Sequence, residues 1–141
     1  MFKNLLLLRF LPTSADLGLL ALRLFAVTPL FLKHGIEKIV GFNAMAGHFP
    51  DPLHIGVVPS LLFATLSDAI CSVLIVFGVA TRWAALFCFV NIAVAWAYIH
   101  HFQFFGRGAD HGELIVLYLA VMATLFLAGA GRFSVDGSLG R

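Results

Sequence analysis

Charge is what this 141-residue chain has least of: Asp, Glu, Lys and Arg make up 11% of it, 9 basic and 7 acidic residues, while 61% is hydrophobic. With a mean hydropathy of +1.00, this composition excludes a disordered chain and fits poorly with a soluble domain of such length. The net charge of +2 is small and the basic groups are scattered, so there is no basic stripe to track nucleic acid and no nucleic-acid partner is expected. Cysteine is scarce too. Cys71 and Cys88 form no C-x-x-C pair, and both fall inside apolar segments. They read first as small buried hydrophobes, and second as a redox pair if the helices that carry them meet at the same depth. There is no G-x-G-x-x-G and no C-x-x-C-H, so nothing points to nicotinamide, flavin or haem. Any redox cofactor would be a diffusible quinone or would sit on a partner.

What the chain does have is about four apolar stretches of spanning length. The expected fold is an all-α integral membrane protein, one domain over 1–141, with four transmembrane helices in an antiparallel bundle at about 15–40, 59–77, 82–102 and 113–130. Residues 1–13 look like an amphipathic lead-in ended by Pro12, and Thr13 or Ser14 is a suitable N-cap with Asp16 in the first turn. Pro29 should kink the first helix, and Pro59 suits the first turn of the second. Residues 42–58, with their prolines and glycines among apolar neighbours, suggest an interfacial loop holding a short surface helix. The tail from Gly131 is expected to lie on the surface. A cleaved signal peptide is disfavoured, because Arg23 interrupts the first apolar run and Lys33, His34, Glu37 and Lys38 follow it. Four helices put Lys3, Arg9, Arg82, Arg132 and Arg141 on one side. The positive-inside rule then places both termini in the cytoplasm, with lipid bilayer around a multi-pass chain.

The polar residues inside the apolar runs are the functional clue. A charge at bilayer depth costs roughly 2.5–3.5 kcal/mol and is kept when it is paired or useful. At 100° per residue, Asp16, Arg23, His34 and Lys38 form one stripe of the first helix. Thr65, Asp68, Cys71 and Ser72 form one on the second, and Cys88, Asn91 and Tyr98 one on the third. Three such stripes belong in the bundle interior. Counting from the helix starts puts Arg23 and Asp68 near mid-membrane, which predicts a buried structural pair of Arg23 with Asp68, completed by Asn91. The functional alternative is a polar binding site or proton relay in which Asp68 exchanges the proton.

At the outer ends, His34, Glu37, Lys38, His100, His101, Asp110, His111 and Glu113 supply every ligand type for zinc, copper or iron. The spacing argues against a metal, since no H-x-x-x-H or E-x-x-H pair occurs. A quinone, which needs an apolar slot and a His, Lys or acid for its carbonyls, is the other ligand that fits. The ligand-binding candidates are His34, Lys38 and Glu113, with His111 or His101 nearby and Asp68 deeper. The structural alternative is a salt bridge pinning the first helix to the fourth.

These motifs, taken in order, resemble the DoxX family of small bacterial inner-membrane proteins over about Leu22 to Asp136. The carriers are Arg23; His34-Gly35-Ile36-Glu37-Lys38, similar to the family's H-G-x-x-K; the acid in helix two; and Gly78 with Thr81-Arg82, similar to its G-x-x-T-R turn. Gly112-Glu113 and the run Gly129 to Asp136 complete the pattern. One departure is Asp68, where the family usually has Glu. The resemblance implies four transmembrane helices and the membrane component of a quinone-linked redox system, an oxidoreductase subunit working beside a partner redox protein or as a homo-oligomer. It equally admits a non-catalytic accessory or scaffolding subunit, or a small metal- or solute-handling protein.

Overall fold

The computed structural model describes Leu6, Leu8 and residues 14–104 and 112–140. The described residues are helical and contain no strand. The lead-in at 1–13, apart from Leu6 and Leu8, lies outside them, as do Arg107, Asp110 and His111. The long helices are α1 (Ala15–Val40), α3 (Val57–Phe77), α4 (Thr81–Ile99) and α5 (Gly112–Ala128). Two short ones, α2 (Phe42–Met45) and α6 (Val135–Leu139), lie in the first loop and the tail. Three helices, α1, α3 and α4, are long and apolar enough to cross a membrane, and α5 is apolar but shorter.

Local chemistry accounts for the boundaries. Ser14 caps α1 by accepting the Leu17 N–H at 3.2 Å. Pro29 cannot donate to the carbonyl one turn before it, and α1 widens into π-helical turns at Arg23–Val27 and Phe31–Gly35 on either side instead of breaking. α3 begins at Val57, two residues before the expected Pro59, which still falls in the first turn where a missing N–H costs nothing. It ends at Gly78, whose φ of 73° lets Gly78 N–H bond to Ile75 and Val79 N–H to Leu74.

The core is shared by all four long helices: Val27 and Leu30 from α1, Cys71 and Ile75 from α3, Ala84, Ala85 and Cys88 from α4, Met122 and Leu125 from α5. Many large apolar side chains instead are exposed, among them Phe25, Phe77, Trp83 and Leu127. That distribution suits a solvent of lipid tails, which exerts no hydrophobic pressure to bury them.

The tail is tied across one end of the bundle. Asp136 accepts the N–H groups of Ala80 and Thr81 at 2.8 Å each and so caps α4 from 55 residues away, while its own N–H bonds to the Gly78 carbonyl. Asp16 accepts the Arg132 N–H at 2.8 Å, and Arg82 reaches the Leu127 carbonyl at 3.0 Å.

Arg23 completes this end, and here the structure corrects the sequence reading. Its fully buried guanidinium does not meet Asp68. It donates to the carbonyls of Val76 (3.0 Å) and Ile75 (3.4 Å) in the last turn of α3, and to that of Phe133 in the tail. The Ile75 carbonyl also accepts the Gly78 N–H, and a cation beside these last-turn carbonyls of α3 meets the negative end of the helix dipole. The reason for the correction is register. α1 meets Asp68 at Gly35, 12 residues beyond Arg23, which is about 18 Å along the helix.

Partial burial opposes ionisation of Asp136, but the Thr81 and Ala80 N–H groups and the nearby Arg23 outweigh it and hold the carboxyl below the usual carboxylate range. A depressed pKa contributes stability that is present above the ordinary carboxylate value and lost as pH falls through the folded one. Asp136→Ala should therefore lower stability by about 1 kcal/mol at neutral pH. In thermal melts of the detergent-solubilised protein, the gap to wild type should close as pH falls from about 5 towards about 3. A gap independent of pH would mean that the carboxylate charge does not hold the tail.

Candidate functional site

The opposite end of the bundle is open. A cavity of about 550 Å³ lies between the second half of α1, the loop after α2, the first half of α3, the second half of α4 and the start of α5. Its walls are mostly apolar: Leu30, Phe63, Val94, Ile99 and Leu114 from the helices, Phe49, Leu53 and Ile55 from the loop. The polar groups on it are few, and Lys38, Asp68, Asn91, His34 and Tyr118 are among them.

Asp68 is the centre of that polar set. It is 6% exposed, and its Oδ2 stands 2.9 Å from Lys38 Nζ. Its Oδ1 accepts from Asn91 Nδ2 at 3.2 Å and from Ser67 Oγ at 3.1 Å. One carboxylate thus joins α1, α3 and α4. The partner expected for it was Arg23, and the cation that reaches it is Lys38; the bond from Asn91 lies where expected.

Gly35 explains why Lys38 can reach. A Cβ at this buried position would stand 2.5 Å from the Asp68 carbonyl oxygen and 3.1 Å from Ala69 Cα, so the residue must be glycine for α1 and α3 to touch there. The contact joins the π-helical turn Phe31–Gly35 to the turn Leu66–Cys71. Lys38 follows within one turn, and side chains on a helix lean towards its N-terminus, which carries Nζ back to Asp68. In the H-G-x-x-K run, the glycine sets the distance, the lysine makes the pair and His34 joins the cavity wall.

Two expected site residues lie elsewhere. Glu113 is exposed and absent from the cavity lining; its neighbours Leu114, Ile115 and Tyr118 take that place. The buried Gly112 before it packs on the Gln103–Phe104 backbone with no room for a side chain. His101 is exposed and off the cavity, whereas His100 lines it. Tyr98, inside the π-helical turn Ala95–Ile99, is exposed rather than interior, while His100 ends the helix and His101 follows it in a left-handed conformation with φ 48°. His111 lies outside the described residues. Among the described residues, no three His, Cys, Asp or Glu side chains gather as a metal would need.

Sequence reasoning missed Asp51. Its carboxylate accepts the N–H groups of Ile55 (3.0 Å) and Gly56 (2.8 Å) and the Ser60 hydroxyl (2.7 Å), which folds the loop over the mouth of the cavity and onto the start of α3. The Ser60 bond, with the two backbone bonds, holds this carboxyl below its ordinary range. An Asp between two prolines just ahead of a helix was the available signal.

The DoxX family model matches residues 18–101, which include both the Gly35 contact and the Lys38–Asp68–Asn91 set. Two proteins of Haemophilus influenzae, each described as uncharacterized, are similar to the chain. One is 32% identical over 87% of this chain and 83% of its own length, the other 31% identical over 83% and 87%. No solved structure matches significantly. With the family pattern running through the first three long helices and their buried polar set, the chain belongs to the DoxX family.

Proposed function

We propose that this chain is a four-span protein of the bacterial inner membrane, with both termini cytoplasmic, and that it binds a quinone in the open cavity as the membrane component of a redox system. The observation that carries the reading is a buried ion pair and an amide on one side of a cavity whose other walls are largely apolar. A quinone matches that division, with carbonyl oxygens at a flat head and an isoprenoid tail. Lys38 has three donors, of which one pairs with Asp68 and one makes a long 3.5 Å bond to the His34 carbonyl, so the third can serve a ligand carbonyl, and the His34 ring on the same wall can donate to it. A cation at that oxygen stabilises the negative charge that develops there on reduction. Leu53, Ile55, Ile99 and Leu114 suit the tail.

The span count and orientation rest on length and charge. α5, with 17 residues, extends about 25 Å, at the short end of what spans a bilayer. Arg82 and Arg132 are exposed at the tail end; at the cavity end Lys38 is neutralised by Asp68, which leaves Lys33 as the exposed lysine of α1, four residues before Glu37. The positive-inside rule therefore favours the tail end as cytoplasmic. Single cysteines introduced at His48 and at Arg82, with Cys71 and Cys88 replaced by Ala, test this. A membrane-impermeant maleimide should label position 48 in intact cells, and position 82 only after permeabilisation. Labelling of position 82 in intact cells reverses the topology.

For the ligand, His34→Gln should leave the melting temperature near wild type. It should weaken binding of a short-chain ubiquinone by about tenfold, the worth of one lost hydrogen bond. Equilibrium dialysis of the protein in nanodiscs measures it. Unchanged affinity would make the polar set a structural pin between helices and remove the residue-level support for a redox role.

A further inference from the structure

Directly beneath the cavity lie two thiols that the binding site does not use. The Asn91–Asp68 bond holds α3 and α4 level with one another at the cavity floor. Cys71 follows Asp68 by three residues, and Cys88 precedes Asn91 by three. Because the two helices run in opposite directions, both cysteines sit about 4.5 Å deeper, on the faces that already meet. Cys88 Sγ donates to the carbonyl of Ser67, the residue before Asp68, at 3.3 Å. Both thiols are free and buried in the shared core, Cys88 fully and Cys71 to within 7%, and they are immediate neighbours there. Two cysteines brought face to face from different helices, one turn under a ligand cavity, are placed for more than filling space.

We propose that Cys71 and Cys88 form a reversible dithiol–disulfide couple that passes two electrons and two protons to a quinone held in the cavity above them, an inference that rests on the quinone reading of that cavity. The balance is complete with those two reactants. The two S–H bonds break and one S–S bond forms, so the pair is oxidised by two electrons. The quinone takes both electrons and both protons and becomes the quinol, and the reverse reaction regenerates the dithiol. Asp68 stands between the thiols and the cavity, where its carboxylate can relay each proton in turn. Burial shields the couple from soluble thiols, and Asp68 is the cavity residue nearest to it in sequence.

The test is a single turnover of the full chain in phospholipid nanodiscs, reduced, freed of reductant and mixed with a short-chain ubiquinone under argon. Thiols are counted by maleimide mass shift after unfolding, and quinol by its absorbance. Wild type should lose both thiols, drop in intact mass by two hydrogens and yield one quinol per chain. Cys71→Ala and Cys88→Ala should each keep the remaining thiol and yield no quinol. Binding of the same ubiquinone to these two unreactive variants, by equilibrium dialysis, separates the two ideas. If they bind it while wild type keeps both thiols, the couple is overturned and the cavity reading survives. If neither they nor wild type bind it, the cavity reading and the couple fall together.

Discussion

Gly35 against the backbone of Asp68 and Ala69 is the contact on which the rest of this bundle depends. A bilayer offers no water to satisfy a buried carboxylate, so Asp68 needs its partners brought to it by neighbouring helices. Any Cβ at position 35 would push α1 away from α3. Lys38 would then lose its pairing distance of 2.9 Å, and an unpaired buried acid would remain, which is more costly than the absence of both residues. Asn91 meets the same carboxylate from α4, so one residue of α3 ties both neighbouring helices. The π-helical turns at the contact belong to this arrangement, since a widened turn is a local adjustment of the kind that recurs where helices carry function.

The two ends of the molecule then divide naturally. At the tail end Arg23, Asp136 and Asp16 close the structure. Arg23 takes the terminal carbonyls of α3 and one from the tail, Asp136 takes the terminal N–H groups of α4, and Asp16 takes one from the tail. At the other end the polar groups line a cavity instead. Asp68 joins three helices at the cavity floor, and Asp51 fastens the loop that forms the cavity's outer wall. A bundle pinned at one end and hollow at the other is a reasonable container for a ligand that enters from the lipid or from the loop side.

Much of this was legible in the residues alone. Hydropathy runs of spanning length, Ser14 as a cap, Gly78 as a stop and the polar stripe through Asp68, Cys71 and Ser72 all express short-range chemistry or helical period, which depend only on neighbours in sequence. So do the choice of His34 and Lys38 as residues of the open end and the partnership of Asn91 with Asp68, since both follow from polar groups having to face one another in a dry interior.

Pairing across helices was another matter. Whether Asp68 meets Arg23 or Lys38 turns on where α1 and α3 touch along their length, and a single glycine decided that. Which of His100 and His101 lines the cavity depended on how α4 ends, with His101 turned into a left-handed conformation past Ile99, a detail that no ideal helical wheel contains. The tail returning to cap α4 joins groups 55 residues apart, with nothing local to announce it. The sequence by itself determined that this is an apolar helical membrane protein with a few polar residues that must be satisfied inside. Only the tertiary structure decided which of them satisfy each other, because the partner of a buried charge is set by axial register, and register is a property of helix pairs rather than of any one helix.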